Sequence, residues 1–255
     1  MTGRDSVRAR LAAHAGTGML VGEAVGVAGL CAGLSGNLLR TPLSEAGTVG
    51  VAAGLALAGK RPVVELLDVV GLARAADALD DAAGRSPGPY AAPLVVILAL
   101  APDAVLPALP PGVRLWVAGV PGDAAWLLDQ ALANDGVSVV CFAPESLDGR
   151  VVGEAAPAGV ARRREGGGVT VLAEGAGVVL AMALGGDVEV VDLRGERDPA
   201  RIAPWVATTG RVVVVGHGDE RVLLATLGEA FWRLESRPVA LHAGEGAEAL
   251  SRAVD

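Results

Sequence analysis

TPLSEAGTVGVAAGLALAGKRPVVEL, residues Thr41–Leu66, contains a helix start, a helix body and the strand that follows. Ser44 is a residue type that caps helix N-termini. Glu45 then falls in the first turn, where the helix dipole favours a carboxylate. Gly47, Gly50 and Gly54 lie along the helix that follows. Each glycine costs roughly 1 kcal/mol relative to alanine inside a helix. Three of them predict that a second backbone or a flat ligand comes close; tight packing against a neighbouring helix is the alternative. RPVVELL, Arg61–Leu67, reads as a buried strand. A helix leading directly into an apolar, β-branched strand is the unit from which α/β folds are built.

The same alternation extends outward. Leu72–Ala83 places Leu72, Ala76, Leu79 and Ala83 on one helical stripe. Pro93–Leu100, Val113–Ala118 and Val137–Phe142 read as strands, and Asp123–Ala133 as a helix capped by Asp123 or its predecessor. Pro144–Gly168 lacks periodicity and reads as a linker, with Arg162–Arg164 as a solvated charge run. The pattern restarts with strand Val169–Ala173, helix Ala176–Leu184 and strand Val188–Leu193. Asp198 and Pro199 form a helix cap and first turn. Strand Arg211–Val215, helix Glu220–Leu234 and strand Pro238–His242 complete the chain. The expectation is two doubly wound α/β domains, residues 1–150 and 169–255, joined by a linker at 151–168.

Composition restricts the function. The 255 residues are 52% hydrophobic and only 3% aromatic, so the core is built from Ala, Val and Leu. A net charge of −8 with no basic stripe argues against nucleic acid, which needs clustered Lys and Arg. No apolar run reaches the roughly 18 residues of a membrane span. No signal-peptide block is evident, and Cys31 and Cys141 read as buried thiols. A cytoplasmic location is expected. The three histidines, His14, His217 and His242, show no metal-binding spacing; His217, at a strand's carboxyl end, reads as a solvated loop residue, with a functional residue as the alternative. Gly175-Ala176-Gly177, with Asp192 ending the next strand, is a partial dinucleotide fingerprint that lacks its third glycine, because Leu180 stands there.

The Thr41–Leu66 run resembles the signature region of the beta subunits of pyruvate and branched-chain 2-oxo acid dehydrogenases. Pro42, Ser44, Glu45, Gly54, Gly59, Arg61, Pro62 and Glu65 match that pattern in order and spacing. Gly22-Glu23 and Gly26 resemble the family's GEDVG opening. Gly112–Leu132 and Val188–Val215 are similar to later family segments in the same order. The resemblance implies a thiamine pyrimidine-binding domain followed by a smaller transketolase C-terminal-type domain. It implies that Glu45 hydrogen-bonds the aminopyrimidine of thiamine diphosphate and promotes loss of the thiazolium proton. It further implies an alpha-type partner, in a heterotetramer, that holds the diphosphate and Mg2+ through a GDG…N motif not found here. A lipoyl or acyl-carrier protein is one acceptor compatible with the resemblance, which does not name the acceptor.

Three departures bear on activity. Counted from Glu45, the aromatic that packs against the pyrimidine falls at Gly71; Leu67 and Val69 are the neighbouring side chains that could replace it. The long histidine-bearing loop after the next strand is missing. The family's His-Glu after VVVV reads Gly216-His217. Two functions follow: an active, divergent beta-type subunit transferring an acyl or two-carbon unit, or a non-catalytic partner of an alpha-type chain. A nucleotide-binding module built on Gly175–Gly177 is a third possibility, from another class.

Overall fold

The computed structural model describes residues 1–85, 91–101, 103–151, 159–218 and 234–254. Helix α1 (Gly3–Thr17) starts at Thr2, whose side chain accepts from Asp5 N while Asp5 returns the bond. Strands β1 (Met19–Gly22) and β2 (Leu38–Arg40) follow, then helix α2 (Glu45–Leu57) and strand β3 (Pro62–Glu65). Next come helices α3 (Val69–Arg74) and α4 (Ala76–Ala83) and strands β4 (Val95–Ala99) and β5 (Arg114–Ala118). Helix α5 (Pro121–Ala133), strand β6 (Ser138–Phe142) and helix α6 (Pro144–Asp148) end this half. Among the described residues its sheet has six strands in the order β2-β1-β3-β4-β6-β5, all parallel.

The strand residues alternate between two apolar clusters, one on each face of the sheet. Val21, Val64, Val96 and Val139 pack under α2 and α4. Leu20, Val63, Ile97 and Phe142 pack under α1 and α5. Burial on both faces explains why these strands lack polar alternation.

A second sheet holds β7 (Ala161–Arg164), β8 (Val169–Ala173), β9 (Val188–Asp192), β10 (Val212–Gly216) and β11 (Val239–His242). Their order is β11-β10-β8-β9-β7, parallel except for β7. Helix α7 (Ala176–Met182) and the C-terminal helix α9 (Gly246–Val254) cover one face; α8 (Pro199–Thr209), capped by Asp198, covers the other.

Several local expectations change. The single helix expected over Leu72–Ala83 is two, because Asp68 caps an earlier start through Gly71 N and Ala75 closes the first piece. Helix α5 begins at Pro121 after Val120, so Asp123 is not its cap. The stretch expected as linker contains β7, an edge strand whose arginines are anchored. Arg162 pairs with the buried Glu189, and Arg164 donates to the carbonyls of Val188 and Leu184. The expected helix Glu220–Leu234 lies, but for its last residue, outside the described residues. Helix α1 and strands β1 and β2 carry no expectation, since their apolar runs are short.

Phe142 heads the fully buried side chains by volume. Phe142→Ala is expected to cost about 3–5 kcal/mol, read from urea unfolding of the purified chain.

Candidate functional site

The carboxyl ends of β1 and β3 and the start of α2 surround a cleft of about 240 Å³. Ser44 is extended and its Oγ accepts from Gly47 N at 3.2 Å, which fixes where α2 begins. Thr41 Oγ1 and Thr48 Oγ1, 2.7 Å apart, tie the incoming loop to the helix. Glu45 is therefore held at the positive end of a helix and turned into the cleft. Arg74 from α3 donates to Glu45 Oε1 at 3.1 Å. The Arg74 side chain is 65% exposed against 21% for Glu45, so the pair is a weak surface contact that leaves the carboxylate available.

Glu45 and Gly71 are brought together. A Cβ on residue 71 would stand 3.1 Å from Glu45 Cγ, so glycine is what lets α3 lie this close. Leu67 lines the cleft from an exposed position. Val69 does not line it; its side chain packs against the core of the first sheet.

Glu65, at the end of β3, is a buried carboxylate lining the same cleft. The N–H groups of Leu30 and Cys31 donate to it, and Arg8 braces their loop through the carbonyls of Leu30 and Ala32 at 2.8 and 2.6 Å. Burial raises the Glu65 pKa above the usual carboxylate range, opposed by the hydrogen bonds from Cys31 and Leu30. Burial, reinforced by the Glu65 charge, likewise raises the Cys31 thiol. Neither cysteine is in a disulfide. The sequence signal for this support was a lone carboxylate inside the apolar run PVVELL; the loop that clamps it gave none.

No protein-family model matches this chain. Over 247 residues it is 32% identical to the "Pyruvate dehydrogenase E1 component subunit beta" of Leifsonia xyli subsp. xyli (strain CTCB07), covering 82% of this chain and 72% of the relative. The chain belongs to the pyruvate dehydrogenase beta-subunit family. Its fold is that of a solved structure described as "Split gene transketolase, inactive beta4 tetramer", with a TM-score of 0.76 at 18% identity, covering 100% of this chain and 97% of that one. It also matches a 2-oxoglutarate:ferredoxin oxidoreductase from Magnetococcus marinus, with a TM-score of 0.66 at 13% identity, covering 100% of this chain and 65% of that longer one.

This family member also carries a buried charge cluster between its two sheets. Asp123 of α5 is fully buried and accepts two hydrogen bonds from Arg194, at 2.8 and 2.6 Å, and a further one from Arg163. Arg163 also donates to Asp192 Oδ2 at 2.7 Å. Arg194 stands over the Trp126 ring at 5.1 Å. Thus Asp192 is held by Arg163 and by Arg194 N, not poised for a ribose. The glycine turn is filled as well. Cβ atoms at Gly175 and Gly177 would meet His217 and the Val215 carbonyl, and Ala176 N donates to His217 Nε2. The nucleotide-binding reading is therefore overturned by packing. His217 is buried, with Nδ1 3.1 Å from the Ala104 carbonyl, and is not a solvated loop residue. Among the described residues no group of His, Cys, Asp and Glu side chains is arranged to hold a metal, and no helix is long and apolar enough to cross a membrane.

Burial pushes Asp192 up to about 6 from 3.8, opposed by Arg163 and reinforced by Asp123. A carboxyl that holds its proton more tightly when folded favours the fold at low pH and loses that contribution as pH rises through its folded pKa. Relative to Asp192→Asn, the unmodified chain should lose stability between about pH 4 and pH 6 and show a constant difference above. Urea midpoints measured across that range test this; parallel profiles would refute it.

Proposed function

We propose that this chain is the beta-type subunit of a two-component, thiamine-diphosphate-dependent enzyme acting on a 2-oxo acid or ketose-type donor. The observation that carries the reading is Glu45: a carboxylate at a capped helix start, accessible in a cleft at the ends of parallel strands. Ligands of doubly wound folds bind at such strand ends.

The cleft suits one half of the cofactor. Leu43, Leu66 and Leu67 offer apolar surface to a flat ring, and Glu45 offers an acceptor for a ring N–H. The other charges there are Glu23, Glu65, Asp68 and Arg74. Three reachable carboxylates, Glu23, Glu45 and Asp68, facing one guanidinium would repel a diphosphate. The diphosphate and Mg2+ are therefore assigned to an alpha-type partner chain. Bound thiamine diphosphate would supply the carbanion chemistry at the substrate carbonyl. The part played by this chain is positional. Ser44 and the α2 dipole orient Glu45, Arg74 holds it until a ring nitrogen competes, and Glu45 then holds or moves a proton at that nitrogen.

The exposed face of α2 supports a partner. Cβ atoms at Gly50 and Gly54 would meet nothing within 4 Å, so packing within this chain does not require glycine there. Val51 and Leu57 are exposed beside them. A smooth apolar face of this kind suits a second backbone, in an assembly of two alpha-type and two beta-type chains. Oxidoreductase or acyl-transfer chemistry, a lipoyl or carrier-protein acceptor and a cytoplasmic setting belong to the same proposal. The second reading, a non-catalytic stabilising subunit, is favoured by Gly71, which leaves no aromatic platform.

Reconstitution with the alpha-type chain separates the two. Glu45→Gln is expected to lower thiamine-dependent decarboxylation by roughly 10²–10⁴-fold. Equal turnover would leave only the non-catalytic reading. Gly50→Leu should raise the thermal stability of the isolated chain, by up to about 1 kcal/mol, yet weaken co-assembly in sedimentation velocity.

A further inference from the structure

We infer that a groove between the two sheets is a second ligand site, for a small molecule with one carboxylate on an apolar body. The groove encloses about 410 Å³ and shares no lining residue with the Glu45 cleft. That volume falls in the range of small-molecule sites, which favour domain junctions. Leu106 and Leu109 form one apolar wall; Leu127 and Leu193 form the other. A smaller cavity of about 290 Å³ adjoins it and shares Arg114, Trp116 and Gly159.

One polar group here is unexplained by the fold, and a solvent-exposed cation stands beside it. The indole N–H of Trp116 is buried and has no acceptor. Such a group costs roughly 1–3 kcal/mol unless something satisfies it. The Arg114 guanidinium lies 4.3 Å above the same ring. Among the described residues no carboxylate pairs with it. The other guanidinium groups around the two cavities are engaged by acids: Arg194 by Asp123, Arg197 by Glu174 and Arg201 by Glu196. One cation without a carboxylate partner, reachable from solvent, selects a monoanion over a polyphosphate. Its planar fork fits a carboxylate, and stacking on the indole already orients it.

The walls are preformed. Val117 N donates to the Arg194 carbonyl at 3.2 Å, so the edge of β5 is pinned to the loop after β9. Gly195, at φ +91°, brings its backbone against the Leu115 carbonyl, where a side chain would collide. Leu106 N donates to the His217 carbonyl, and Pro107, Pro110 and Pro111 stiffen the opposite wall. A preformed site loses little entropy on binding. Because its walls come from both sheets, an occupant would also strengthen their pairing.

The test uses the full chain and needs neither partner nor thiamine, so it succeeds or fails independently of the proposed enzyme reading. Phenylbutyrate is titrated by calorimetry, with phenylbutanol as the neutral comparator. The expected result is saturable one-site binding of the carboxylate, about tenfold tighter than the alcohol, with a rise in thermal midpoint. Arg114→Gln should bring the two affinities together. Ala108→Trp, which puts an indole into the groove from an exposed position, should abolish both. Equal affinities in the unmodified chain, binding unchanged in either variant, or no binding at millimolar phenylbutyrate would overturn the assignment.

Discussion

Asp123 is a carboxylate without solvent exposure, and the arrangement of the two sheets depends on it. Burying a lone charge is prohibitive, so it must meet cations inside the protein. It meets two, Arg194 and Arg163, and both come from the second half of the chain. Arg163 shares itself with Asp192, which is also fully buried. Removing Arg163 would leave the buried Asp192 without its ion pair, at a cost of roughly 3–5 kcal/mol. The network places the loop after β9 against the edge of β5, where Val117 N finds the Arg194 carbonyl. The apolar groove between the sheets is a consequence of that docking.

The Glu45 cleft solves the opposite problem. There a carboxylate must stay reachable, so its contact is a single exposed arginine rather than a closed network. Its neighbour Glu65 is sealed by the loop at Leu30 and Cys31 and serves to hold the cleft floor. Two acids on adjacent elements therefore differ in role because they differ in burial. Gly71 sharpens the contrast: it permits the approach of α3 to Glu45 and at the same time withholds a ring from the site.

The histidines follow the same logic of burial. His217 and His242 both reach the Ala104 carbonyl, on the segment that returns from β4 to β5. With Leu106 N bonded to the His217 carbonyl, that segment is tied to the second sheet at several points. This connection thus becomes a structural strap.

What the sequence determined by itself was local and periodic. Runs such as PLVVILAL and VEVVD are strands because β-branched and apolar residues without polar alternation suit a sheet covered on both faces. Ser44 and Asp198 cap helices because their side chains reach backbone N–H groups two or three residues away. Glu45 was legible for the same reason, since its setting is one helix turn. The fate of charges whose partners lie far along the chain depends instead on how the elements dock. Asp123 looked like a cap and is an interior anion; Arg163 looked solvated and joins two acids; His217 looked exposed and is buried. Val69 looked available to the cleft and packs inward. Periodicity reports which face of an element is apolar. It carries no information on which distant element will supply a counter-charge, because that depends on how the two sheets dock.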